Sequence, residues 1–201
     1  AESVLLNAIE KDPNNERIYF NARIEILLKT NQAEKAIDIL EKILDKDPDN
    51  TDRLSHLALI YQRQERQAES ERVLRHILDV NPDDAFASNG LGYYYAEKGI
   101  KLVEARRLIE NAYRQKPLDW QMLDSMAWLC FREGRNEQAY YFALAAMRSG
   151  FHRVVIVHML DILVALGRQD EAQSVFNELS RRLPNDPKII ELGKRLKLLQ
   201  Q

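Results

Sequence analysis

KDPDN, residues 46–50, is the segment from which the architecture of this chain can be worked out. Proline cannot donate a helical hydrogen bond and pushes the residue before it out of the α region, so a helix must end here. The Asp or Asn that follows the proline can cap the next helix. Related segments recur along the chain: KDPNN at 11–15, VNPDD at 80–84 and RLPNDP at 182–187.

The prolines keep a nearly constant spacing. Pro13, Pro48, Pro82 and Pro117 follow one another at intervals of 34 or 35 residues, and Pro184 comes about two such intervals later. A period of this length is typical of a repeat that contains two helices. When the units are aligned on their prolines, mostly small residues stand at repeat positions 8 and 20, where they let antiparallel helices approach closely. Larger apolar residues stand at positions 4, 7, 11 and 24 in most units and fill the space between the helices.

This pattern is similar to that of the tetratricopeptide-repeat (TPR) family over nearly the whole chain. The resemblance implies an all-α α-solenoid, a right-handed superhelix of antiparallel helix pairs with a C-terminal capping helix. We expect a single TPR domain over residues 1–201. Its predicted parts are an orphan second helix of a truncated repeat at 1–16, repeats at 17–50, 51–84, 85–119, 120–152 and 153–186, and a capping helix at 187–201. The chain is thus expected to begin within a longer array.

Glycines mark the predicted turns inside three of the repeats. Gly99, Gly134 and Gly167 stand where a left-handed backbone conformation is cheap only for glycine. Asn31 and Glu65 hold the same place in the first two repeats. Asparagine tolerates this conformation, so only Glu65 is expected to require a different turn.

Composition points towards a protein partner. Lys and Arg number 29 against 31 Asp and Glu, so no excess of positive charge is present to bind nucleic acid or an anionic bilayer. No stretch approaches the roughly 20 apolar residues of a spanning helix, so this segment is not expected to insert directly into a membrane. The expected partner is a protein or peptide, and a homo-oligomer is possible because an orphan helix would leave an apolar face.

The TPR resemblance implies that the first helix of each pair lines a concave groove. On this basis the candidate partner-binding residues are Asn21, Glu25, His56, Phe86, Asn89, Tyr93, Asp124, Ser125, Trp128, Phe131 and His158. Tyr93 and Trp128 both hold position 9, which is not a core position, so we expect them to act as aromatic anchors in the groove. The alternative is that neighbouring first helices bury these two rings against each other.

The spacing of the polar residues does not predict catalysis, and no catalytic residue, metal site or cofactor is expected. His158 and Asp161 lie one helical turn apart but lack a third ligand or a nucleophile. Cys130, the only cysteine, holds an interior packing position. A single cysteine is compatible with a reducing or an oxidising compartment, and therefore leaves localisation open.

Residues 89–139, with NGLGYYY, LDSMAW and REGRNEQA, resemble a subgroup of TPR lipoproteins in Gram-negative bacteria that includes protease adaptors. This resemblance implies a periplasmic location on an outer-membrane lipoprotein, with a cytoplasmic location as the alternative. The predicted function is a non-catalytic interaction scaffold or adaptor that binds a peptide or partner protein in its groove. The alternatives are a structural spacer or self-association module and, more remotely, an enzyme whose catalytic domain lies outside this segment.

Overall fold

The computed structural model describes residues 15–197, in which eleven helices and no strand occur. The helices are α1 Glu16–Lys29, α2 Ala33–Leu44, α3 Thr51–Arg63, α4 Gln67–Val80, α5 Ala85–Lys98, α6 Leu102–Gln115, α7 Trp120–Arg132, α8 Asn136–Met147, α9 Arg153–Ala165, α10 Gln169–Arg182 and α11 Pro187–Arg195. The all-α prediction is therefore confirmed for these residues. The orphan helix predicted at 1–16 lies almost entirely outside the described residues.

The chain divides into two compact units, Ala1–Pro82 (unit 1) and Asp83–Gln201 (unit 2). Unit 1 contains helices α1 to α4, and unit 2 contains α5 to α11. Within each unit, consecutive helices pack against one another, and α11 packs on α10 at the end of unit 2. We refer to the odd-numbered helices from α1 to α9 as first helices and to the even-numbered ones as second helices.

Small residues at position 20 lie at the centre of the helix pairs. Ala36, Ala105, Ala139 and Ala172 are completely buried. In the pair formed by α5 and α6, Gly92 at position 8 lies so close to α6 that a Cβ atom there would be 2.7 Å from Ile109 Cγ1. Packing density of this kind leaves no room for larger side chains, which explains why the repeat keeps small residues at these positions.

The prolines are followed by helix caps, as the sequence predicts. The side chains of Asn50, Asp84, Asp119 and Asp186 each accept a hydrogen bond from a backbone N–H in the first turn of the next helix. The acceptor oxygen of Asp84, for example, lies 2.8 Å from Ala87 N. These caps satisfy amides that the helix itself leaves unpaired.

The turns between first and second helices share one conformation, and the expectation of a different turn at Glu65 is wrong. Asn31, Glu65, Gly99, Gly134 and Gly167 all have a positive φ, between 57° and 76°. The residue after each left-handed position donates to a carbonyl five residues back, as in the 2.9 Å bond from Arg66 N to Tyr61 O. The hydrogen bonding and helix packing therefore hold glutamate in a conformation that glycine adopts more readily.

The turn at Gly99 has one more residue between its left-handed glycine and the next helix than the other turns, and a second left-handed residue accommodates it. Lys101 has φ 47° and immediately precedes α6. The loop thereby gains one residue without moving Ala105 out of its buried position.

Candidate functional site

The imidazole of His158 is the centre of the polar and aromatic side chains on the first helices of unit 2. It lies on α9, and the residue is only 6% exposed. Its Nδ1 lies 2.8 Å from Asp124 Oδ1 on α7, and its Nε2 lies 3.4 Å from the Tyr93 hydroxyl on α5. A neutral ring with its proton on Nδ1 can donate to Asp124 and accept from Tyr93 at the same time. One side chain therefore links three first helices.

Aromatic rings surround this imidazole. Trp128 stacks on it with ring centroids 4.2 Å apart and an interplanar angle of 20°. The Tyr93 ring lies 6.1 Å from it, and Phe131 stacks on Trp128 at 5.0 Å. Trp128 thus covers a face of the chain's own His158, while the Tyr93 hydroxyl meets the edge of the same ring at Nε2. We call Tyr93, Asp124, Trp128, Phe131 and His158 the aromatic cluster.

The residues predicted for the groove of unit 2 differ in their exposure. Asp124, Ser125 and His158 are buried, whereas Phe86, Asn89, Tyr93, Trp128 and Phe131 are half-buried. The half-buried side chains on α5 and α7 can be reached from solvent. The three buried residues lie beneath that surface, where Asp124 binds His158 and His158 contacts Tyr93 and Trp128.

Two polar atoms of this face lack partners. Trp128 Nε1 and Asn89 Oδ1 are both shielded from solvent and have no hydrogen-bond partner in the part of the chain that the structure describes. An N–H donor and a carbonyl acceptor that are buried without partners each cost free energy. They lie on neighbouring first helices, α7 and α5, which pack against each other.

Unit 1 contains the remaining predicted groove residues. Asn21 Oδ1 on α1 is buried and lacks a partner within residues 15–197. Glu25 is exposed and pairs with Lys29 at 2.7 Å, one turn further along α1. His56 on α3 is half-buried, with Nδ1 2.7 Å from the carbonyl oxygen of Asp52, and its ring lies edge-on to Phe20.

Arg195 on α11 contacts the first-helix face of unit 2, and this contact was not predicted from the sequence. It binds Asp161 on α9 through two bonds, Nη1 to Oδ1 at 2.6 Å and Nη2 to Oδ2 at 3.0 Å. The residues of this pair are 34 positions apart, as are those of the pair formed by Asp124 and His158. This spacing is a signal in the sequence that could have indicated both contacts. Complementary polar residues one repeat length apart can meet because they lie on adjacent repeats.

Burial changes the acidity of Tyr93, a member of the aromatic cluster, and of Cys130 on α7. Burial raises the pKa of the Tyr93 phenol well above its ordinary value, and the nearby carboxylates of Asp124 and Glu97 raise it further. The phenol is therefore neutral and keeps its proton for His158. Burial also raises the pKa of the Cys130 thiol, which disfavours the reactive thiolate form.

Within residues 15–197, no group of three or more His, Cys, Asp or Glu side chains is placed to hold a metal ion. In the same part of the chain, no helix is both long and apolar enough to cross a membrane.

Antiparallel helix pairs of similar length, each joined by a turn with a left-handed residue, define a helical-repeat solenoid protein. The chain belongs to the tetratricopeptide-repeat family, whose family model matches residues 1–51 and 27–89. It is also 30% identical over 135 residues to the TPR repeat-containing protein PA4667 of Pseudomonas aeruginosa, a match that covers 67% of this chain. The chain spans 23% of the length of this curated relative.

Solved structures of TPR proteins have the same fold. TTC0263, a thermophilic TPR protein of Thermus thermophilus, aligns with a TM-score of 0.71 at 15% identity over 99% of this chain and 100% of its own. PilW, a widely conserved type IV pilus biogenesis factor, aligns with a TM-score of 0.70 at 19% identity over 94% of this chain and 88% of its own. At such identities the likeness concerns the fold alone.

Proposed function

We propose that this chain is a non-catalytic interaction scaffold and that the first-helix face of unit 2 binds an extended segment of a partner protein. The single observation that carries the proposal is the group of half-buried aromatic side chains, Tyr93, Trp128 and Phe131, on the first helices of unit 2. Trp128 Nε1 and Asn89 Oδ1 are shielded in the unbound chain, and a small rotation of their side chains would be needed to bind a peptide carbonyl and a peptide N–H. Such a rotation would recover hydrogen bonds that folding leaves unmade.

The rings of the aromatic cluster suit the same role. Tyr93, Trp128 and Phe131 are half-buried, and their ring contacts with His158 or with each other restrict their rotation. Rings held in this way lose little entropy when a partner covers them, which is why aromatic residues dominate binding hot spots. Asp124 orients the imidazole from beneath and so keeps the surface of the cluster in a defined shape.

Site-specific photo-crosslinking in the source cell tests this proposal. A photoreactive phenylalanine at Gln121, an exposed position on first helix α7, would capture a protein bound to the first-helix face of unit 2. The matched control carries the same group at Tyr141, which is 66% exposed on second helix α8. We expect protein adducts from position 121 that fall when Trp128→Ala is added, and few adducts from position 141.

The possible outcomes separate the candidate functions. Adducts of equal yield at both positions, or adducts insensitive to Trp128→Ala, would contradict binding on this face. Adducts formed with a second copy of the chain would instead favour the self-association module.

A further inference from the structure

Asp161 is the acidic member of the surface that also contains Tyr93 and Trp128. It holds repeat position 9 on α9, the position of Tyr93 on α5 and of Trp128 on α7. The residue is 9% exposed, and both of its carboxylate oxygens are bound by Arg195. The Arg195 side chain itself is 55% exposed. The ion pair therefore joins a buried anion to a cation that solvent can reach.

The helix that carries Arg195 is held in place by other contacts. Ile189, Leu192 and Leu196 are buried in the core of unit 2 together with Leu160 and Phe176. Because these apolar contacts do not involve the guanidinium, the flexible stem of Arg195 can swing away from Asp161 while α11 stays packed.

A buried carboxylate left without a cation is strongly destabilising, so Arg195 can leave only if another cation replaces it. A guanidinium or ammonium group from a partner would make this exchange with little change in the number of buried ion pairs. An apolar or acidic side chain would leave Asp161 unpaired. Only a basic side chain can therefore take the place of Arg195 without leaving Asp161 unpaired.

We propose that Asp161 is a subsite for a basic side chain of the partner segment, and that Arg195 occupies it as an internal stand-in until the partner binds. This inference rests on the proposed function of the same face. His158, which stacks on Trp128, lies three residues before Asp161 on α9, so the aromatic cluster and the acidic subsite lie side by side. The expected partner therefore presents a basic residue close to the residue that covers Trp128.

Selection of random dodecapeptides displayed on phage against the full 201-residue chain tests the subsite. Four proteins are compared: the original chain, Arg195→Met, the charge-swapped double variant Asp161→Arg with Arg195→Asp, and the control Lys194→Met. Lys194 is exposed on the same helix, so its substitution removes an equal charge without touching Asp161. Peptides that lose binding to Trp128→Ala are counted as groove-bound.

We expect groove-bound peptides selected on Arg195→Met to carry Arg or Lys at one constant position. Replacing that residue by Met in the peptide should weaken binding at least about thirtyfold, as for the loss of one partner of a buried ion pair. The charge-swapped variant, which keeps an ion pair at the site if Arg195→Met folds poorly, should select acidic residues at the same position. Lys194→Met should select the same peptides as the original chain.

The failure of this inference differs from the failure of the proposed function. Groove-bound peptides without a basic preference on Arg195→Met, or with an unchanged preference on the charge-swapped variant, would overturn the subsite and leave the groove in place. If no selected peptide depends on Trp128, both the groove and the subsite are rejected.

Discussion

The first helices of unit 1 and unit 2 carry different side chains on the same local framework. Position 9 is Glu25 and Leu59 in unit 1, and Tyr93, Trp128 and Asp161 in unit 2. Both units nevertheless have buried small residues at position 20 and the same left-handed turn after the first helix. The difference teaches that the repeated positions determine the backbone, while the positions outside the repeat pattern determine the chemistry of each face.

The largest expected effect tests whether the framework is equivalent in the two units. Leu54 and Leu123 both hold position 4, and they are 4% and 7% exposed. Replacing either with Ala should lower the free energy of unfolding by about 2–5 kcal/mol, because a cavity forms and apolar contacts are lost. Urea titration followed by circular dichroism measures this. A loss below about 1 kcal/mol at one site only would show that the two frameworks differ.

Position 9 tests the difference between the two faces. Trp128→Ala should weaken binding of a groove-selected peptide by about 2 kcal/mol or more while costing the fold less than Leu123→Ala. Leu59→Ala, at the same position in unit 1, should leave that affinity unchanged.

Trp128→Phe keeps an aromatic ring but removes the indole N–H. A smaller loss of affinity, about 1 kcal/mol, would therefore measure the contribution of the hydrogen bond. Calorimetric titration measures all three, and unfolding by Trp128→Ala would place the ring in the core.

Ala36 and Ala139 extend the comparison to the second helices. Both are completely buried at position 20, one in each unit. Leu at either site should force the paired helices apart and destabilise the fold by roughly 1–3 kcal/mol. Thermal melts of the two variants measure the cost, and a neutral result at either position would contradict the alignment of the repeats.

The shared turn predicts effects of opposite sign in the two units. Glu65 has φ 58° and Gly134 has φ 76°, with no atom within 4 Å of a Cβ added to Gly134. Glu65→Gly should stabilise the fold and Gly134→Ala should destabilise it, each by about 1 kcal/mol, because only the glycine adopts this conformation without strain. Denaturation midpoints measure both, and equal signs would mean that the turns differ.

Alkaline pH is expected to weaken unit 2 through Tyr93. Its folded-state pKa is raised above the ordinary value of 10.0, so the folded chain holds a proton that the unfolded chain releases. The stability that protonated Tyr93 contributes is intact below about pH 10. As the pH rises further, the free energy of unfolding falls, by about 1 kcal/mol at about pH 11. Tyr93→Phe should remove this part of the decline between about pH 10 and 11. Urea titrations at several pH values measure this decline for both proteins. An equal decline in the free energy of unfolding across that range would contradict the prediction.

Much of the fold could be predicted because its signals are local. Proline spacing, capping residues and small residues at helical intervals indicate where each helix begins, ends and packs. Glu65 shows the limit of such reasoning, because its propensity argued for a different turn. The hydrogen bond from Arg66 N to Tyr61 O and the packing of the helix pair outweigh that preference.

The candidate site could be predicted only as a set of positions. The alignment placed Tyr93, Trp128 and His158 on first helices, but helical spacing indicated only Asp161 as a polar neighbour of His158. In the structure Asp124 binds His158, and Arg195 binds Asp161. These partners lie on other helices, where spacing within one helix carries no information about them.

The sequence by itself determined the repeat, the ends of the helices and the faces that pack, because backbone preferences and apolar periodicity act over a few residues. Only the tertiary structure decided that one imidazole joins three first helices and that a carboxylate at position 9 is bound by the last helix. It also decided which atoms are left without partners, since burial depends on the side chains that several helices bring together. The chemistry of the first-helix face of unit 2 therefore follows from helix packing rather than from any local motif.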